Sequence, residues 1–459
     1  MISTTKREKI KIKNKPVSII GLGRSGISAA KLAHHLGAQV KISDSSNSID
    51  INNNADKMLA KGINVETGHH SSALYDSSLW IVSPGIDINS DIIEKAKNLN
   101  IPVVGEIEFA SWFTNSPIIA VTGSNGKTTT VNALCEMCQT ENQKGVLGGN
   151  IGTPFSYNVL NELIQKSQNN IHILEISSFQ METIIHFKPN ICVFLNISPD
   201  HLNRHGTLEE YIKMKLNMAK NLNKDDFIVY NINDSILKNS FQKNPAKQFP
   251  FGISNLDTTF CVNGISIKDS YGNFLVRKND IAITGEHNLM NLLAAATAAK
   301  LSNIPNKTIA GIFKSFNGVT HRLENVLTKN SITYINDSKA TNLDSVIVAI
   351  KSIEKPIVLL MGGINKGADF RLILPYIKSC HVKLIITYGK AAGEISTALG
   401  DAVRSIKEID LNSAVKSAQS MAIPGDAILL SPGCASFDQF KNFEERGNLF
   451  KKLVSNNHD

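Results

Sequence analysis

The sequence predicts three α/β domains built on mostly parallel sheets, and three observations lead there. At 459 residues the chain is too long for a single core, and roughly 150 residues per domain suggests about three. Short β-branched runs alternate with helical stretches almost throughout, the rhythm of parallel strands joined by crossover helices. Two glycine-rich segments, Gly21–Gly26 and Gly123–Gly126, each follow a strand and open a helix, where such folds bind phosphates. The first reads as Rossmann-like and the second as a P-loop-type ATPase.

Composition narrows the class. Hydrophobic residues make up 42% and charged residues 19%, with 30 Gly and 14 Pro, which excludes collagen-like and wholly disordered chains. No apolar run approaches the ~18 residues a membrane span needs. Six cysteines are too sparse for a disulfide scaffold, so a soluble protein of a reducing, cytoplasmic compartment is expected. The net charge of +8 hints at nucleic acid until it is located. Lys6, Arg7, Lys9, Lys11, Lys13 and Lys15 stand against Glu8 alone, and without this stretch the balance is 42 to 39, or +3. Residues 1–15 therefore read as a solvated basic leader without the apolar segment of a signal peptide. Neither a nucleic-acid nor a membrane partner is expected, and nothing requires more than a monomer.

The first domain, 16–115, opens on the strand Val17–Ile20, turns through Gly21-Leu22-Gly23-Arg24-Ser25-Gly26 into a helix over Ile27–Leu36, and returns at Val40–Ile42. Asp44 ends that strand 18 residues after Gly26, where an acid can meet a ribose or base. The second domain, 116–318, starts at Ile118–Val121 and continues through strands at Ile171–Leu174, Ile191–Leu195 and Phe227–Tyr230. Residues 252–285 read as short antiparallel strands, and Ala294–Leu301 as a small-residue helix. The third domain, 319–459, carries strands at Thr333–Ile335, Ile357–Leu360, Leu384–Tyr388 and Ala427–Leu430.

The chemistry concentrates in the second domain. In Thr122-Gly123-Ser124-Asn125-Gly126-Lys127-Thr128-Thr129, backbone N–H groups can wrap phosphates, Lys127 can reach the β- and γ-phosphates, and Thr128 can hold Mg²⁺. Val121 stands where the strict pattern wants Gly, so the loop is a shortened variant. Glu175 and Asp200-His201 close later strands of the same domain, and carboxyl ends of parallel strands face the ligand crevice. Glu175 suits an oxygen-preferring Mg²⁺. Cys135 and Cys138 lie within the helix after the loop rather than at its start, against redox or zinc use. His34-His35 and His69-His70 are adjacent pairs that point apart. By itself the first glycine loop would suit an NAD-dependent dehydrogenase, but that leaves Gly126-Lys127-Thr128 without a role. A non-catalytic ATP switch would need no amino-acid pocket.

Taken in order, these residues resemble the Mur ligase family over essentially the whole chain after the leader. The resemblance rests on Gly149-Asn150-Ile151-Gly152, Glu175-Ile176-Ser177-Ser178-Phe179-Gln180 and Asp200-His201-Leu202-Asn203-Arg204. It continues through Gly285-Glu286-His287-Asn288, His321-Arg322-Leu323-Glu324 and Asn336-Asp337-Ser338-Lys339-Ala340-Thr341-Asn342. The last signature, Ser431-Pro432-Gly433-Cys434-Ala435-Ser436 with Phe437-Asp438-Gln439-Phe440 and Lys441-Asn442-Phe443, is the one most diagnostic of D-glutamate addition.

The resemblance implies an ATP-dependent ligase that adds D-glutamate to UDP-N-acetylmuramoyl-L-alanine through an acyl phosphate, in peptidoglycan precursor synthesis. It implies that Gly23, Arg24, Ser25, Asp44, Ser45, Ser83, Gly85 and Asn150 meet the UDP-linked substrate. It implies that Gly123, Ser124, Asn125, Gly126, Lys127, Thr128, Thr129, His287, Asn288, Asn291, Arg322 and Asp337 surround ATP. A Rossmann-like third domain would grip D-glutamate through Lys339, Thr341, Lys366, Ser436 and Phe443. Two Mg²⁺ would be held by Thr128, Glu175, His201 and a carbamylated Lys215, with Lys127, His201, Lys215 and Arg322 catalytic. Ser46 stands where some relatives carry arginine, and Ile364-Asn365 where some carry an acid.

Overall fold

A computed structural model describes residues 11–198, 204, 206–253, 258–283 and 285–455. Most of the leader and the predicted Asp200-His201 lie outside the described residues. The chain forms two compact units, one comprising the residues up to Ala282 with Met290–Phe316, the other Ile283–Leu289 with Asn317–Asp459.

The first unit holds two parallel sheets. Strands β1 (Pro16–Ile20), β2 (Gln39–Asp44), β3 (Asn64–Thr67), β4 (Leu79–Val82) and β5 (Val103–Gly105) order as β3-β2-β1-β4-β5. The reversal between β2 and β4 at β1 puts the first glycine loop at the topological switch point, where such sheets bind ligands. The second sheet comprises β6 (Ile118–Thr122), β7 (Lys144–Gly149), β8 (Asn170–Glu175), β9 (Ile191–Phe194), β10 (Phe227–Asn231) and β11 (Lys247–Phe251), ordered β11-β10-β9-β6-β8-β7. Every residue of β6 and β8 is buried, which is why these strands read as continuous apolar runs rather than alternations. The predicted meander appears as β12 (Phe260–Asn263), β13 (Ser266–Asp269) and β14 (Phe274–Arg277), antiparallel throughout.

The two parallel sheets share one apolar core, running from Val17 and Ile42 through Phe109 and Trp112 to Phe155 and Phe194. The helix Glu106–Ser111 stitches them together with two buried carboxyls. Glu108 accepts from the backbone N–H groups of Ile185, His186 and Phe187 at 3.0, 2.8 and 2.8 Å and from Trp112 Nε1 at 2.8 Å. Glu106 accepts from Ser156 N–H. Burial outweighs that bond and pushes its carboxyl up to about 7.

The second unit carries β15 (Glu324–Lys329), β16 (Ile332–Asn336), β17 (Ile357–Gly362), β18 (Val382–Tyr388), β19 (Ser405–Lys407) and β20 (Ala427–Gly433), ordered β15-β16-β20-β17-β18-β19. All pairs are parallel except β15 with β16. Separate apolar clusters cover its two faces, one around Val346, Leu359 and Phe370, the other around Leu360, Val415 and Phe450.

Three sequence readings need adjusting. The helix expected from Ala294 begins at Glu286, because its first two turns mix polar with large apolar residues and show no small-residue run. Cys138 lies just past the helix Lys127–Met137 rather than inside it. The strands β3, β4, β5, β7, β11, β15 and β19 went unread, β7 and β15 because their glycine-rich and polar sequences lack a β-branched run.

Candidate active site

The phosphate loop is shaped by one glycine above all. Gly126, at φ +85, caps the helix Lys127–Met137 in the left-handed region. A Cβ there would run into Asn291 Oδ1, so the bare backbone lets Asn291 close against the loop. Asn196, at the end of β9, clamps the loop from the other side. Its Oδ1 accepts from Asn125 N–H at 2.8 Å and its Nδ2 donates to Asn125 O at 3.0 Å.

Two lysines converge on one carbonyl. Lys127 Nζ donates to Gly123 O and Ser124 O, both at 2.8 Å. Lys215 Nζ donates to the same Gly123 O at 2.8 Å. Lys215 belongs to the helix Leu208–Leu216, and its side chain is 2% exposed. Tyr211, one turn earlier on the same face, meets Ser124 Oγ through its hydroxyl at 2.9 Å. Lys213, two residues away, is exposed and pairs with Glu210 at 3.3 Å. The two lysines of this helix thus divide into one buried at the loop and one at the surface.

Beside the loop, Thr128 Oγ1 donates to Glu175 Oε2 at 2.7 Å, and Asn150 Nδ2 donates to Glu175 Oε1 at 2.9 Å. A threonine hydroxyl and a buried carboxylate are hard oxygen donors of the kind Mg²⁺ prefers, so these residues fit the cation. His201 is outside the described residues, and among the described ones no group of three or more His, Cys, Asp or Glu could hold a metal.

In the first glycine loop, the Asp44 carboxylate accepts from Leu22 N–H at 2.8 Å and Ser46 N–H at 2.9 Å. Asp44 therefore ties the end of β2 to the loop, and Ser46 serves through its backbone. Arg24 reaches across to the carbonyl of Gly152, joining this loop to the Gly149–Gly152 segment. Ser83 Oγ is buried without a hydrogen-bond partner among the described residues. An orphaned hydroxyl beside the glycine loop is a group a ligand can satisfy. Ser25 is half-buried, while Gly23, Ser45 and Gly85 are exposed.

In the second unit, Asp337 is buried, accepting from Ser431 Oγ at 2.8 Å and Leu323 N–H at 3.2 Å. Burial pushes its carboxyl up to about 7, against the pull of Ser431 and the Arg322 charge. His287 is held down at about 4 by burial and by Arg322, so its imidazole is neutral at pH 7. Asn288 is buried. Lys339 Nζ lies 5.4 Å above the Phe443 ring centre. Ser436 is buried, Thr341 half-buried and Lys366 exposed. Asn365 holds the Lys366 loop, donating to Glu394 at 2.7 Å and accepting from Ala368 N–H at 2.8 Å.

Three family models match successive stretches: "Mur ligase MurD-like, N-terminal domain" over residues 15–105, "Mur ligase middle domain" over 121–299 and "Mur ligase, glutamate ligase domain" over 321–434. The chain belongs to the Mur ligase family. As a Mur ligase it is an ATP-dependent enzyme that forms C–N bonds, of a family that uses Mg²⁺. Among its relatives are the UDP-N-acetylmuramoylalanine–D-glutamate ligases of Koribacter versatilis, 37% identical over 96% of this chain and 98% of that one, and of a Thermoanaerobacter species, 39% identical over 97% and 99%. The ligase of that name from Staphylococcus carnosus is 37% identical over 96% of each chain. Solved structures share the fold at lower identity. The UDP-N-acetylmuramate–alanine ligase of Thermotoga maritima matches with a TM-score of 0.60 at 16% identity, covering 96% of this chain and 99% of that one. A pseudomurein peptide ligase from Methanothermus fervidus matches at 0.59 and 18%, with the same coverage.

Two residues of this Mur ligase were not singled out by the sequence reading. Asn196 gave no signal beyond standing at a strand end. Arg204 was visible within a motif, but its role was not. It grips Glu182 with two bonds at 2.7 and 3.2 Å, donates to the carbonyls of Pro84 and Ile86 at 3.2 Å, and stacks 4.3 Å from the Phe179 ring centre. It thereby fixes the Ser83–Gly85 segment against the second sheet's side of the unit.

Proposed function

We propose that this enzyme joins the amine of D-glutamate to the L-alanyl carboxylate of UDP-N-acetylmuramoyl-L-alanine, a cytoplasmic step of peptidoglycan precursor synthesis. The observation that carries the reading is identity of 37–39% over nearly the full length to ligases named for that reaction. A free carboxylate does not condense with an amine in water, so it must first be activated. Attack of the carboxylate on the γ-phosphorus of ATP forms an acyl phosphate and releases ADP. The D-glutamate amine then adds to the acyl carbon, and the tetrahedral intermediate loses a proton and expels phosphate.

Lys127 supplies positive charge where negative charge develops on the oxygens of the transferring phosphoryl group, and Arg322 is proposed to do the same. Mg²⁺ at Thr128 and Glu175 would neutralise phosphate oxygens. Arg24, Ser25, Asp44, Ser45, Ser83, Gly85 and Asn150 are assigned to the UDP-linked substrate, an assignment the unpartnered Ser83 hydroxyl supports. Lys339, Thr341, Lys366, Ser436 and Phe443 are assigned to D-glutamate, whose two carboxylates match two lysines.

Lys215 is proposed to be carbamylated and to serve a second Mg²⁺ together with His201. The carbamate forms from the neutral amine of this buried side chain. That amine adds to CO₂, forming an N–C bond and losing a proton, and leaves a carboxylate. Its place beside Gly123 supports the assignment. Six free cysteines and the lack, among the described residues, of any helix long and apolar enough to cross a membrane agree with a cytoplasmic enzyme, taken here as a monomer.

The test is phosphate release with the UDP-linked acceptor against a panel of D- and L-amino acids. Turnover should require both the acceptor and D-glutamate. Equal turnover with L-alanine would move the enzyme to a sister activity in the family.

A further inference from the structure

We propose that Arg446 is a positioning residue for the amino-acid substrate, holding in one arrangement the separate segments that grip D-glutamate. The inference rests on the D-glutamate reading above. Arg446 lies in the first turns of the helix Phe443–Ser455 and is fully buried. Its Nη2 donates to Ser338 O at 2.7 Å and its Nε to Ser338 Oγ at 3.0 Å. Its Nη1 donates to Cys434 O at 3.1 Å and to Gly362 O at 3.4 Å.

Those acceptors lie on three segments far apart in sequence. One continues into Lys339 and Thr341, the second into Lys366, the third into Ser436. The fourth element is the arginine's own helix, which begins with Phe443, and Ser338 Oγ closes the circuit by donating to Phe443 O at 2.8 Å. Backbone bonds bind the segments further: Ile364 N–H to Ala435 O at 2.8 Å, Ala435 N–H to Ile364 O at 3.0 Å, and Gly433 N–H to Ala340 O at 2.9 Å. All five residues assigned to D-glutamate are thus on elements that meet at one guanidinium.

The electrostatics point the same way. Buried charges are ordinarily paired with an opposite charge. All four acceptors of Arg446 are neutral oxygens, and among the described residues no carboxylate lies within ion-pair reach of it. Asp337 feels the charge, yet burial pushes its carboxyl up to about 7, which makes it an incomplete counter-ion. A buried cation offset mainly by carbonyl dipoles leaves a positive field for a dicarboxylate to complete. The planar fork spreads its donors over these three segments at fixed angles, a geometry a compact lysine ammonium does not reproduce even where it keeps the charge.

The experiment measures steady-state kinetics of the full chain carrying Arg446→Lys or Arg446→Met, varying D-glutamate, ATP and the UDP-linked acceptor separately. The loss of a charged donor's bond predicts a KM for D-glutamate raised about tenfold or more in Arg446→Lys. The KM values for ATP and acceptor should stay near those of the unaltered enzyme, and Arg446→Met should be worse than Arg446→Lys for D-glutamate alone. If Arg446→Met does not fold, as thermal unfolding will tell, the Lys variant alone decides. An unchanged KM for D-glutamate, or an equal rise in all three KM values, overturns the proposal. The unaltered enzyme in the same assay tests the D-glutamate reading independently. Were another amino acid its substrate, the same selective rise would be measured with that one.

Discussion

Glu106 sets a quantitative test of how the first unit is held together. Its carboxyl is buried with a single backbone donor, and burial raises it from 4.5 to about 7. The folded state therefore keeps its proton longer than the unfolded state does. The stability this contributes is complete below about pH 4.5 and is lost as pH rises through about 7. At about 1.4 kcal/mol per pH unit, the span from 4.5 to about 7 corresponds to about 3 kcal/mol. Glu106→Gln keeps the shape and an oxygen acceptor for Ser156 N–H but cannot ionise. Relative to the unaltered enzyme, the variant should gain up to about 3 kcal/mol between pH 4.5 and 8. Both tryptophans, Trp80 and Trp112, are buried in the first unit, so fluorescence-monitored urea unfolding reads that unit rather than the other. The measurement compares stability differences between the two proteins at several pH values. Parallel curves from pH 4.5 to 8 would refute the reasoning, and a variant that loses stability at high pH would reverse its sign.

Lys127→Ala should cut turnover by about 10²–10³ through loss of charge at the transferring phosphate, while calorimetry still finds acceptor binding. Lys215→Ala should nearly abolish ligation and regain part of it with added short carboxylates, whereas Lys213→Ala should stay close to full activity; mass spectrometry of the native enzyme under CO₂ should show the added carbamate. Gly126→Ala forces a left-handed φ on an L-residue and drives its Cβ into Asn291, a backbone strain of about 1–3 kcal/mol that should appear as a raised KM for ATP in the phosphate-release assay.

Much of this enzyme was legible from local pattern. The buried strands Ile118–Thr122 and Asn170–Glu175 announce themselves as apolar runs because both faces of a central parallel strand are covered. The phosphate loop is equally readable, since glycine at a left-handed turn and lysine at the following helix start are local chemical requirements. The spacing from Tyr211 to Lys215 already places both on one helix face. Sequence alone could not say that this face is the buried one, because that depends on the loop at Gly123, ninety-two residues away in the chain. The same holds for Asp44, whose carboxylate turns inward to Leu22 and Ser46, and for Glu106 and Glu108, two acids one residue apart on one short helix. Three backbone donors surround Glu108 and one meets Glu106. Arg446 is the extreme case: in the sequence it is one more cation on an amphipathic helix, and in the fold it joins three distant segments. Secondary structure and loop chemistry follow from neighbours along the chain. The burial of a charge, and what it is asked to hold, is decided by residues that only the packed sheets bring near.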